Sequence, residues 1–157
     1  MQIDIIDEKI DLGRLRINSS KISSGKNKEF KIKKIEFQMY YNTSMGEEVG
    51  LIGSIKELGS WDKNKVLRMH WDDGNIWTAT IDFSFVEITS FEFKFILIDN
   101  GKIKEWENGN NRIFNINEFK LLIRKKIQGK NNKEEIDYDY ILNENTLILK
   151  CIWNKKK

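Results

Sequence analysis

The run 91-FEFKFILIDNGKIKEWENGNNR-112 holds the clearest alternation in the chain. Phe91, Phe93, Phe95 and Leu97 fall on every second residue, with Glu92, Lys94, Ile96 and Ile98 between them. A period of two puts the phenylalanines on one face of a β-strand and Lys94 on the other. Asn100-Gly101 then offers the two positive φ values that a tight hairpin turn needs. The strand is expected to fold back there, and its return carries Trp106 between Glu105 and Glu107. Gly109, Asn110 and Asn111 read as a second turn, after which Arg112, Phe114 and Ile116 resume the alternation.

The same period recurs on both sides of this run. Ile35, Phe37 and Met39 alternate with polar residues, and Val49, Leu51 and Gly53 define another strand. Val66, Leu67 and Met69 read as a short one, and 72-DDGN-75 as a tight turn. Trp77, Ala79, Ile81 and Phe83 follow, and 146-TLILKCIW-153 reads as a closing strand. Short strands at close spacing, polar turns and no sustained 3.6-residue period predict an all-β protein, an antiparallel β-sandwich. Within 119–145, FKLLIRKKIQ fits a strand or a helical turn, and GKNNKEE fits a solvated loop. Residues 1–29 form an N-terminal extension of mixed pattern that ends in the linker-like 18-NSSKISSGKNK-28. The domain is expected over 30–153, with a basic tail at 154–157.

Composition narrows the functions. The 157 residues fit one domain with modest extensions. Charged residues make up 32% of the chain, and no apolar run approaches a transmembrane helix, so no membrane partner is expected. The N-terminus, with Asp4, Asp7 and Glu8, lacks a signal-peptide pattern. The single cysteine, Cys151, excludes an internal disulfide and points to a cytoplasmic location. The net charge of +3 is too small for a nucleic-acid footprint. Binding of single strands by exposed aromatics is the weaker reading on that ground.

One histidine, His70, and one cysteine leave no set for a structural zinc site, so no metal or cofactor is expected. No nucleophile elbow, phosphate loop or dinucleotide fingerprint is present. Asp72-Asp73-Gly74-Asn75 lacks the ligand alternation of a calcium loop. Glu105 and Glu107 could be set against the paired carboxylates of a glycosidase. Two residues apart on a strand, they read instead as a charged edge, and no enzyme is expected.

The tryptophans carry the functional signal. Trp77 lies on an apolar face and Trp153 at the end of the last strand. Trp61, Trp71 and Trp106 lie in or beside polar turns, GSWDK, HWDDG and EWENG. A flat indole held in a turn is a low-entropy binding platform.

Three segments now align with a known pattern. 46-GEEVGLIGSIKELGSWD-62, Trp77 opening its strand, and 92-EFKFILIDNGKIKEWENGNNR-112 together resemble the starch-binding domain of carbohydrate-binding module family 20. The resemblance covers about 35–116, and 146–153 looks like that family's closing strand. The segment between, 117–145, is then a longer insert than usual. The resemblance implies an immunoglobulin-like sandwich of seven to eight strands that binds α-1,4-glucan such as starch, amylopectin or glycogen without catalysis. It implies a first site in which Trp61 and Trp106 stack on glucose rings, supported by Lys94, Glu107 and Asn111. Arg112 is expected to brace the turn.

A candidate second site would use Tyr40, Tyr41 and Trp71. It is expected to be altered, because Met45 stands where the family has a tyrosine. Taken as a free-standing chain, the protein is expected to act as an adaptor or granule-surface protein at storage polysaccharide. A protein partner would then meet the N-terminal extension or the 117–145 insert. The alternative is an interaction scaffold that keeps this fold and has lost the sugar.

Overall fold

The computed structural model describes residues 10–11, 16–17, 31–127 and 139–155. Readings that fall on the rest of 1–30, on 128–138 and on 156–157 lie outside the described residues. Ile10–Asp11 (β1) and Arg16–Ile17 (β2) pair as a short antiparallel ribbon. The domain proper is two five-stranded sheets packed face to face.

One sheet contains β3 (Lys34–Tyr40), β6 (His70–Asp72), β7 (Ile76–Asp82), β11 (Asp139–Asn143) and β12 (Thr146–Ile152), in the order β11-β12-β3-β7-β6. The other contains β4 (Glu47–Gly53), β5 (Leu67–Arg68), β8 (Phe91–Asp99), β9 (Lys102–Trp106) and β10 (Arg112–Phe114). Here β8 is central, pairing with β10, β4 and β9. The two-residue periods decide which faces meet. Ile35, Phe37, Met39, Leu147 and Leu149 from one sheet pack on Leu51, Phe91, Phe93 and Phe95 from the other. Phe37 meets Phe93 edge-on at 5.2 Å across the interface.

The sandwich is the expected one, with three differences. The β12–β3 pair is parallel, Leu147 facing Ile35 and Leu149 facing Phe37, while the other pairs are antiparallel. Among the described residues the two sheets of the sandwich hold ten strands rather than seven or eight, several of them only two or three residues long. The run Val66–Met69 divides in this way: β5 joins one sheet, the chain crosses at buried Met69, and β6 joins the other. Too few residues lie on either side of the crossing to show a period. The segment expected as an insert also contributes to the core. Ile116–Ile127 is a helix (α1), its first turn satisfied by the Asn115 side chain, which accepts from Asn117 and Glu118 N–H at 3.0 and 3.1 Å. Phe119 of this helix packs edge-on against Tyr140 at 4.9 Å, and Tyr140 and Leu142 of β11 are buried. Burial holds the Tyr140 hydroxyl well above the usual tyrosine pKa.

One irregularity positions the outer face around Trp106. The β8–β9 register shifts between Leu97 and Ile98, so that Ile96 faces Trp106 and Ile98 faces Ile103. Ile103 and Trp106 are three apart and would alternate sides in a regular strand. The extra residue puts both on the outer face, as bulges do. The Lys104 ammonium donates to Glu47 at 2.7 Å, and Ser44 N–H donates to the same carboxylate at 2.7 Å. These bonds hold the Glu47 carboxyl below the usual carboxylate range.

Candidate functional site

The outer face of β8 is the foundation of the site. Glu92, Lys94, Ile96 and Ile98 line it, and each meets something different. Asn111 donates to Glu92 at 3.1 Å, the Lys94 ammonium reaches the loop after β9, and Trp106 sits opposite Ile96. Successive positions on one strand face lie about 6.6 Å apart, so Glu92 to Ile96 spans about 13 Å. Beneath Trp106, Ile52, Ile96 and Ile98 form a small apolar bed separate from the main core, with Val66 and Ile103 packed on it. The ring is therefore half-buried and seated on a firm base.

The loop after Trp106 is closed by an ion pair. Arg112 donates from Nε and Nη2 to the Glu107 carboxylate at 2.8 and 2.9 Å, and Nη2 also donates to the Ile152 carbonyl at 2.5 Å. Both side chains are 1% exposed. The guanidinium also lies 5.2 Å from the centre of the Phe95 ring. Glu107 further accepts from Phe95 N–H at 3.1 Å and Asn154 N–H at 3.2 Å. The loop 107–112 is thus fastened at its two ends, and Lys94 crosses it by donating to the carbonyls of Glu107 (2.9 Å) and Gly109 (2.6 Å).

The sequence expectation for Glu107 needs correction here. A carboxylate with no open face, carrying a bidentate guanidinium and two backbone donors, is not placed to accept from a sugar hydroxyl. It holds the loop that presents Trp106 and Asn111. Arg112 braces the turn as expected. The same placement separates Glu105 from Glu107: the first is exposed, the second buried, so they do not face one cleft. Lys94 keeps one N–H beyond its two protein carbonyls. Asn111 keeps its carbonyl oxygen and a second N–H. Glu92, exposed beside Asn111, opens the motif strand but is not among the expected site residues. Its place on the same face as Lys94, two residues away, is the available signal.

Trp61 arrives from a different loop, and each motif residue before it has a physical task. At Gly53 a Cβ would stand 2.5 Å from the Glu92 carbonyl, so only glycine lets β4 end against β8. Ser54 then accepts from Glu92 N–H at 2.9 Å. Leu58 is fully buried in the main core. Gly59 has φ +83°, and a Cβ there would overlap the Lys65 carbonyl. Ser60 and Trp61 continue in the left-handed region, φ +50° and +63°.

Such a conformation is costly for a bulky residue. The turn is held by Ser60 N–H to Ile55 carbonyl (3.0 Å) and Asp62 N–H to Gly59 carbonyl (2.8 Å). The Asp62 side chain also accepts from Asn64 N–H at 2.9 Å. The result is an indole still 36% exposed. Two residues on, Lys63 and Asn64 line the same surface groove as Trp106, and Val66 packs on the bed beneath it. This brings the Trp61 turn to the side of the sheet that carries Trp106.

Gly59→Ala is expected to cost about 1–3 kcal/mol through combined strain and overlap. It should lower the melting temperature and the ligand affinity together. Thermal unfolding and a binding titration on the same sample check this.

The remaining aromatic residues divide. Trp77 and Trp153 are buried; the Trp77 indole donates to the Tyr41 carbonyl at 3.2 Å, and Trp153 packs on Tyr41 at 4.8 Å. Trp71 is 44% exposed, with its indole N–H given to Asn75 at 3.2 Å. By contrast, the indole N–H groups of Trp61 and Trp106 have no acceptor among the described residues. Of the candidate second set, Tyr40 is in register with Ile76 and Ile152 on the outer face. Trp71 is in register with Trp77 on the core-facing side of an edge strand. The fold therefore does not bring Tyr40 and Trp71 onto one face. Tyr41 and Trp71 meet instead around the Asn75 turn, where Tyr41 N–H donates to the Asn75 carbonyl at 3.0 Å. Met45 is fully exposed. Among the described residues there is no cluster of three potential metal ligands, and no helix is long and apolar enough to cross a membrane.

Comparison with known proteins gives a consistent result. The family model described as "Starch binding domain" matches residues 32–120. Glucoamylase-1 of Arthroderma benhamiae is 34% identical over 84 residues, which is 52% of this chain and 14% of that protein. Starch-binding domain-containing protein 1 of Rattus norvegicus is 29% identical over 80 residues, 50% of this chain and 22% of that protein. The glycoside hydrolase family 15 glucoamylase from Hypocrea jecorina superposes with a TM-score of 0.53 at 15% identity, covering 78% of this chain and 17% of that one. This last likeness is one of fold. The chain spans less than a quarter of the length of these relatives.

Proposed function

The chain belongs to the starch binding domain family, and we propose on that premise that it binds α-1,4-glucan by stacking glucose rings on Trp61 and Trp106. The observation that carries this reading is the pair itself. Both indoles are held partly exposed by their own built supports, a strained turn for one and an isolated apolar bed for the other. Both retain a free N–H, while the neighbouring Lys94, Asn111 and Glu92 offer donors and acceptors for sugar hydroxyls. The C–H face of a pyranose covers an indole, and its rim of hydroxyls meets those polar groups. Two platforms on separate elements, a turn for Trp61 and the end of β9 for Trp106, suit a helical glucan better than a flat one.

The role is binding rather than hydrolysis. This reading is supported by the burial of Glu107, which removes the one carboxylate pair the sequence offered beside a platform tryptophan. Binding at a single short ligand is modest, because sugar hydroxyls replace water at little net gain; a polymer raises it by avidity. We place the protein at the surface of storage polysaccharide. Sedimentation with granular starch tests the reading: the protein should pellet with the granules and be released by soluble malto-oligosaccharide. Protein that stays in the supernatant would exclude it.

A further inference from the structure

Beside Trp106, on the side away from Lys94, the outer face of the second sheet opens into a groove of about 560 Å³. Its apolar part is Ile98, Ile103 and the flank of Trp106, and its polar rim carries Lys63, Arg68 and Lys102. No carboxylate lines it. For a chain with 27 basic and 24 acidic residues, three cations and no anion around one groove is a local concentration of charge. The Arg68 guanidinium is partly answered by Glu48 at 3.2 Å. Lys63 and Lys102 have no ion pair among the described residues. The nearest acid in sequence to Lys63 is Asp62, whose carboxylate is turned to Asn64 N–H.

We propose that this groove receives a phosphate monoester carried by the bound α-glucan, so that the site prefers phosphorylated over unmodified glucan chains. The proposal rests on the α-glucan reading of Trp61 and Trp106 and names the class of glucan they select. Geometry supplies the link. A glucose ring that stacks on Trp106 by its C–H face directs its exocyclic substituents sideways, past the edge of the indole. One edge of Trp106 borders the groove. A neutral hydroxymethyl group gains little from two unpaired ammonium groups. A phosphate monoester brings close to two negative charges and three acceptor oxygens at neutral pH. Lys63 comes from the turn after Trp61 and Lys102 from the first position of β9, and on their flexible stems both can close on it as point charges. Both are exposed, so the gain should be screened by salt.

The test compares amylopectin carrying phosphate monoesters with the same sample after phosphatase treatment, in low and high sodium chloride. The wild type should bind the phosphorylated sample about fivefold more tightly at low salt, with the difference shrinking as salt rises. Lys63→Gln/Lys102→Gln should bind both samples alike, at the wild-type affinity for the dephosphorylated one. Millimolar inorganic phosphate should compete no better than sodium chloride of equal ionic strength, because the sugar anchors the ester. Equal wild-type affinity for the two samples would overturn the proposal and leave glucan binding intact. A preference that survives in the double variant would do the same. Failure to bind either sample would remove the glucan reading itself. An oligonucleotide bound more tightly than the phosphorylated glucan would point to another class of ligand and also overturn it.

Discussion

Glu107→Ala should destabilise the domain by about 3–5 kcal/mol, the largest single-residue effect expected outside the main core. The cause is not the loss of an ion pair as such. Arg112 is 1% exposed and its buried charge would lose the Glu107 carboxylate, and Phe95 and Asn154 N–H would each lose an acceptor. For a domain of this size the melting temperature should fall by about 10–20 °C. Replacing both partners by leucine should cost clearly less than the sum of the single changes, since no charge is then stranded. Thermal or urea unfolding of the two single variants and the double variant checks this. Equal costs for Glu107→Ala and a surface change such as Glu105→Ala would show that the buried pair does not hold the loop.

Trp106→Ala should weaken glucan binding by about 2 kcal/mol or more, roughly thirtyfold, as expected for a central aromatic anchor. It removes one stacking surface and uncovers the Ile52, Ile96 and Ile98 bed. Trp61→Ala should cost a similar amount, and Trp106→Phe less, since a ring remains. Trp71→Ala should leave affinity for a short oligosaccharide unchanged, because that indole sits on another sheet and gives its N–H to Asn75. Melting curves separate loss of binding from loss of fold. A Trp71 variant that fails with the short ligand while Trp106→Ala binds normally would reverse the assignment.

Much of this arrangement is legible in the sequence, for identifiable reasons. The alternation from Phe91 to Leu97 fixes which face of β8 meets the main core, and that alone puts Lys94 on the other face. Asn100-Gly101 marks the hairpin, and both residues take positive φ. What the periodicity could not reveal depends on contacts distant in sequence. Glu107 reads as a surface acid until β10 brings Arg112 beneath it. The bulge at β9 changes no residue type, yet it decides that Ile103 and Trp106 share a side. The helix at Ile116–Ile127 and strand β11 are hidden by a Lys- and Asn-rich segment whose few core positions, Phe119, Tyr140 and Leu142, are far apart in the chain. For the second set, two adjacent tyrosines look like one patch in sequence. Strand alternation sends Tyr40 and Tyr41 to opposite sides.

The decisive measurement is a calorimetric titration of maltoheptaose into the wild type and into Trp61→Ala/Trp106→Ala. The wild type should give a saturating heat of binding at modest affinity, and the double variant should give none while unfolding as a cooperative domain. A wild type that gives no heat, or a double variant that binds as well as the wild type, would contradict the assignment of Trp61 and Trp106 as the glucan platform.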